Sequence, residues 1–132
     1  MWGRCGELTP LIRGRRTKLI KRMAQRPTAE FALSAITVAE LQYGVCKSPH
    51  AGQEREALDE FLVPFSVLEF DYDATLSYGR IRAHLETIGT PIGALDMLIA
   101  AHAVSRDLVL LTHNLKEFKR VPGLKAEDWT RG

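Results

Sequence analysis

Asp96 is the only formally charged residue between Thr90 and Ser105, set in the apolar run Pro91-Ile-Gly-Ala-Leu-Asp-Met-Leu-Ile-Ala-Ala. Burying an unpaired charge is costly, so a carboxylate kept in such company meets a cation, a metal or a hydrogen-bond network. The plainer alternative is a place in the first turn of a helix, where free backbone N–H groups and the dipole favour an acid. Other polar residues follow apolar runs: Glu40 after Phe31–Ser34, and Thr112, Asn114 and Glu117 after Leu108–Leu111. Carboxylates gathered at one place repel each other unless a divalent cation sits between them, and oxygen donors with open water positions suit Mg²⁺ or Mn²⁺. Each also has a simpler role. Glu40 closes a capping box with Thr37, Asn114 caps a turn, and Glu117 is a solvent-facing helix residue. His113 beside Asn114 is a candidate for substrate contact, whereas His102 reads as a hydrogen-bonded core histidine, and neither is assigned to catalysis. The sequence has no Gly-rich phosphate loop, GxSxG elbow or HExxH, which disfavours nucleotide-binding, serine-hydrolase and zincin chemistry.

The elements that must position these residues are legible from periodicity. Thr17–Gln25 has helical spacing up to Pro27; Phe31–Ser34 reads as a buried strand, and Thr37-Val-Ala-Glu40 opens the next helix, which Gly44 ends or thins at a packed face. Glu54–Leu62 is helical until Pro64, and Phe65–Phe70 is a strand. In the following helix Ala74, Tyr78, Ile81, Leu85 and Ile88 recur every three or four residues, with Asp71 or Asp73 as cap and Gly89 as stop. Leu95–Val104 is apolar nearly all round and so central; Leu108–Thr112 is an aliphatic strand buried on both faces, and Leu124–Trp129 adds a short edge strand. This alternation predicts an α/β fold with a mostly parallel central sheet flanked by helices. Ligands of such sheets bind at the carboxyl ends of the strands, where the acidic candidates fall.

Composition narrows the class. With 132 residues, 45% hydrophobic and 26% charged, the expectation is a single domain over residues 1–132 with its own core. Cys5 and Cys46 lack zinc-ligand spacing and suit a reducing compartment, and no run reaches membrane-spanning length, so a cytoplasmic protein is expected. Residues 1–26 carry eight basic side chains against one acid, Glu7. That basic segment is either a solvated helix face or a surface for phosphate backbones.

Three blocks then carry a family resemblance: Ser34-Ala-Ile-Thr-Val-Ala-Glu-Leu-Gln-Tyr-Gly44; Gly89-Thr-Pro-Ile-Gly-Ala-Leu-Asp-Met-Leu-Ile-Ala-Ala-His102; and Leu111-Thr-His-Asn-Leu-Lys-Glu-Phe118 with Val121-Pro-Gly-Leu124 and Glu127-Asp-Trp129. In this order, from about residue 11 onward, they resemble the PIN-domain ribonuclease toxins of the VapC type. The resemblance implies a PIN-like fold, Mg²⁺ or Mn²⁺ in an acidic pocket, cleavage of RNA (often tRNA), inhibition by a VapB-type antitoxin, and a homodimer. It makes Glu40 and Asp96 metal-binding acids, Glu117 a third catalytic acid, and Thr112 and Asn114 auxiliaries. Arg13, Arg15, Lys18 and Arg22 would hold RNA through its phosphates.

The resemblance fails at the beginning. Family members open on a hydrophobic strand ending in a metal-binding aspartate; here the aligned position is Arg4, and Glu7 is the only acid nearby. Residues 1–10 hold two glycines and a proline, so they are expected to be irregular, with the first strand missing, neighbouring edges exposed and stability lowered. The alternative function is therefore a catalytically silent PIN-like module that retains antitoxin or RNA binding.

Overall fold

The structure, a computed structural model, describes the backbone of residues 2–3, and residues 25, 31–112 and 114–128. The described residues form five short strands, β1 (Trp2–Gly3), β2 (Ala32–Ser34), β3 (Ser66–Leu68), β4 (Val109–Leu111) and β5 (Lys125–Glu127), with helices α1 (Ala35–Lys47) and α2 (Ala51–Leu62) between β2 and β3, α3 (Tyr72–Thr87) and α4 (Ala94–Ser105) between β3 and β4, and α5 (Leu115–Phe118) before β5. All pairings are parallel. One ladder runs β1-β4-β5 and the other β2-β3, with β1 lying close to β2 where the ladders adjoin. The strands predicted at Phe31–Ser34, Phe65–Phe70, Leu108–Thr112 and Leu124–Trp129 are therefore present, each trimmed to a three-residue core.

The expectation of an irregular N-terminus needs correction at its first residues. Trp2 and Gly3 pair with Leu110 and Leu111, so β4 has a partner on each side. Parallel pairing uses only backbone N–H and C=O groups, which glycine supplies as well as any other residue. Arg4, Glu7 and the rest of residues 4–10, the helix expected over Thr17–Gln25 apart from Gln25, and the basic set Arg13, Arg15, Lys18 and Arg22 lie outside the described residues.

Helix α4 is the centre of the larger core. Met97, Ile99, Ala100, Ala101 and Ala103 are buried on it and cluster with Ile81 and Leu85 of α3, Leu110 of β4, and Phe118 and Val121. Its alanines allow α3 and α4 to pack closely, as their apolar spacing requires. A second cluster joins Leu33, Leu41, Val45 and Leu58, with Phe61 and Phe65 against it. On α3, Ala74, Ile81 and Leu85 face inward as predicted, but Ile88 is about half exposed and Ser77 is buried instead. Asp71, not Asp73, is the cap: its Oδ1 accepts from the Ala74 N–H at 3.1 Å, and Gly89 beyond the helix has φ of 73°.

The capping box predicted at Thr37 is displaced. Ser34, in extended conformation at the end of β2, caps α1 by accepting from the Ile36 N–H at 3.1 Å. Thr37 is inside the first turn, fully buried, with no hydrogen bond to its hydroxyl. Gly44 neither ends α1, which runs to Lys47, nor thins a packed face, since a Cβ there meets nothing within 4 Å.

Ser34 has a second partner. Its Oγ lies 2.8 Å from Nδ1 of His102, the fully buried imidazole of α4, whose ring also meets Phe70 edge-on at 5.3 Å. The Ser34 oxygen has two lone pairs and one proton, so beside accepting from Ile36 it can pair with either tautomer of the imidazole. Removing the hydroxyl in Ser34→Ala takes away both a helix cap and a buried partner, and should cost about 1–3 kcal/mol in urea denaturation.

Burial pushes His102 below its ordinary 6.5, helped by the charge of Arg106 and opposed by a hydrogen bond to the Glu69 backbone and the charge of Asp71. Native protein thus stays unprotonated where the unfolded chain has taken up a proton. Stability from this histidine is full above pH 6.5 and declines as pH falls below it. Denaturation midpoints measured between pH 7.5 and 5 should fall for the parent chain and fall less for His102→Gln.

Candidate active site

Thr112 leaves β4 fully buried, with its backbone N–H bonded to the Glu127 carbonyl at 3.0 Å. Its Oγ1 accepts from the Asn114 N–H at 3.0 Å, a side-chain turn that sends the chain into α5. Asn114 occupies the residue before α5 but makes no side-chain cap bond to it. Its Nδ2 donates instead to Oε2 of Glu117, and Glu117 Oε1 accepts from the Gly93 N–H at 3.3 Å.

Gly93 is the residue that opens α4, and it offers no side chain to cap the helix. Asp96 lies in the first turn, half-buried, and its Oδ2 would be 3.6 Å from a Cβ built on Gly93. Asp96 and Glu117 therefore border the same glycine, from the helix above it and from the segment that follows β4. Both carboxylates sit in the positive end of the α4 dipole, where anions are favoured. Because α4 runs back to the start of β4, its N-terminus and the residues after β4 share the carboxyl edge of the sheet, where α/β folds bind ligands.

Glu40 reaches this region on a different element. It is half-buried on α1, six residues beyond the true cap Ser34, so it is not the carboxylate of a capping box. Helix α1 packs against α4, and the Ser34–His102 hydrogen bond ties its start to the middle of α4. Among the described residues no three His, Cys, Asp or Glu side chains gather into a metal-holding group, so Glu40 is not drawn into one cluster with Asp96 and Glu117. His113 lies outside the described residues.

The donors present nonetheless fit a small hard cation. Mg²⁺ is commonly held through one or two carboxylates, with waters and substrate phosphates completing its shell. Two carboxylates bordering one glycine meet that need, and Glu117 keeps lone pairs after accepting two hydrogen bonds. Sequence reasoning missed Gly93 as a participant. The signal was its position between Pro91-Ile and a helix with no Ser, Thr, Asp or Asn to cap it. No helix among the described residues is long and apolar enough to cross a membrane.

The PIN domain family matches residues 11–124, leaving residues 1–10 outside the match. The ribonuclease VapC2 of Rickettsia felis is 45% identical over 100 residues, 76% of this chain and 75% of that one. The tRNA(fMet)-specific endonuclease VapC of Salmonella typhimurium is 43% identical over 102 residues, 77% of each chain. Among solved structures, DNA-bound VapBC from Salmonella typhimurium superposes with a TM-score of 0.91 at 35% identity, covering 97% of this chain and 96% of that one. VapBC2 of Rickettsia felis, bound to a promoter DNA fragment, gives 0.87 at 37% identity over 97% of both chains. The chain therefore belongs to the PIN-domain family and, within it, to the VapC-type ribonuclease toxins.

Proposed function

We propose that this chain is the toxin of a type II toxin–antitoxin system: a Mg²⁺- or Mn²⁺-dependent endoribonuclease, acting on tRNA in the cytoplasm as a homodimer and neutralised by a VapB-type antitoxin. The observation that carries the reading is the meeting of Asp96 and Glu117 at Gly93, on the ligand-binding edge of a parallel sheet, in a chain of VapC kinship. The tRNA assignment draws on the name of the Salmonella relative, and the antitoxin on the relatives solved as VapBC complexes.

Asp96 and Glu117 would hold the cation, with Glu40 as the further acid and Thr112 and Asn114 as auxiliaries. A divalent ion held there supplies an activated water at neutral pH and offsets charge on the phosphodiester. The chain's own contribution is placement. The α4 N-terminus carries Asp96 in its first turn, and the hydrogen bonds around Glu117 keep its carboxylate from turning to solvent. Arg13, Arg15, Lys18 and Arg22 would grip RNA phosphates without reading base identity.

One sequence feature favours a second reading. Arg4, the residue after β1, stands where relatives of this type carry their first metal-binding aspartate, so the chain is alternatively a silent module that still binds antitoxin or RNA. Purified protein assayed on bulk tRNA separates the two. Cleavage should require Mg²⁺ or Mn²⁺, stop with EDTA, and fall at least about tenfold in both Glu40→Gln and Asp96→Asn, with both variants folded. Arg4→Asp should raise the rate. Cleavage indifferent to EDTA and to both substitutions would defeat the metal mechanism, and none in any variant would favour the silent module.

A further inference from the structure

Asn114 has two ordinary roles open to it, and the geometry fits neither. As a helix cap it would accept from a backbone N–H of α5, and it does not. As a solvent-facing turn residue it would leave its amide to water, whereas that amide is partly buried against Glu117. A carboxylate only accepts, so the group Asn114 turns toward Glu117 must be its NH₂, and its Oδ1 faces the other way. Its own placement is fixed from behind. Thr112 Oγ1 holds the Asn114 N–H, and Thr112 is itself buried and bonded to β5. The result is a chain of contacts from the end of β4, through Asn114 and Glu117, to the Gly93 N–H at the start of α4.

We infer that Asn114 is a positioning residue: acting through Glu117, it locks the Gly93 turn, and with it Asp96, in the geometry that receives the metal ion. The inference rests on the metal-dependent reading proposed above. Gly93 has no side chain and α4 no side-chain cap, so Glu117 is the tether that the structure provides at this helix end. A charged carboxylate left without its amide partner has water to turn to, because the Gly93 contact is exposed. Asn114 therefore supplies the bias that keeps Glu117 inward.

Asn114→Asp is the informative variant, being isosteric while exchanging the donor for a second negative charge. If Asn114 positions Glu117, the new carboxylate repels it and the site loosens. If Asn114 instead binds the cation through Oδ1, the added charge strengthens binding. The first measurement needs neither metal nor activity. In ¹⁵N-labelled protein free of metal, exchange of the Gly93 amide proton should quicken in Asn114→Ala, Asn114→Asp and Glu117→Ala relative to the parent chain. The second is Mn²⁺ binding followed by electron paramagnetic resonance, where both Asn114 variants should weaken affinity by about tenfold or more. In cleavage assays kcat should fall with KM for tRNA unchanged, since Asn114 is assigned no contact with RNA. An unaltered Gly93 amide in the Asn114 variants, or tighter Mn²⁺ binding by Asn114→Asp, overturns the inference while leaving the nuclease reading intact. Absence of metal-dependent cleavage by the parent chain defeats that reading, and the Gly93 amide still decides the role of Asn114.

Discussion

An imidazole buried without any exposed surface must find partners inside the protein, and His102 finds Ser34 from 68 residues away. This contact fixes the relation between the two halves of the fold. Ser34 ends β2 and begins α1; His102 is the polar residue on the buried face of α4, which packs on α3, α1 and β4. One hydroxyl therefore sets where β2 stops, where α1 starts and how α1 lies against α4. The carboxylates depend on it in turn. Glu40 is carried by α1 and Asp96 by α4, so their separation is governed by a hydrogen bond to which neither contributes.

That dependence explains where sequence reading succeeded and where it stopped. The aliphatic run Leu108–Thr112 and the apolar face of Leu95–Val104 declare themselves because each is a local pattern whose burial follows from its own composition. Asp71 was legible as a cap for the same reason. Ser34 was not, because Thr37-Val-Ala-Glu40 has the spacing of a capping box and Ser34 lies three residues before it. What decides between them is the extended backbone at Ser34 and a partner on a distant helix, and no window of neighbouring residues contains that partner. The contact between Glu117 and Gly93, spanning 24 residues, was hidden in the same way. Sequence could nominate the acids but not the backbone group that unites two of them.

The first strand teaches the complementary lesson. Glycine and proline content near the N-terminus argued against a strand because side-chain packing is what β-propensity measures. The ladder itself asks only for backbone groups in register, and an aliphatic β4 with a free edge supplies a template that Trp2 and Gly3 can meet. The described pairing covers Trp2 and Gly3 alone, and the position where the VapC-type resemblance expects an acid, Arg4, follows directly in the sequence. Likeness of fold to the VapBC structures is a separate matter from the chemistry of that one side chain.

The geometry around Gly93 also resolves a conflict that any acidic site must face before its metal arrives. Two carboxylates near one residue repel each other, and with no counter-charge they would drift apart or protonate. At Glu117 the repulsion is offset by neutral groups. The positive end of α4 acts on both acids, the Gly93 N–H takes one oxygen of Glu117, and the Asn114 amide takes the other. These dipoles are fixed by the fold and cost little reorganisation when a cation binds, since each carboxylate oxygen retains a further lone pair. A lysine or arginine in their place would neutralise Glu117 more strongly but would then have to be displaced by the incoming ion. Stabilisation by backbone and amide dipoles is weak enough to leave the site receptive and strong enough to keep it assembled, and a glycine, whose N–H is open to a carboxylate, suits the place where Asp96 and Glu117 meet.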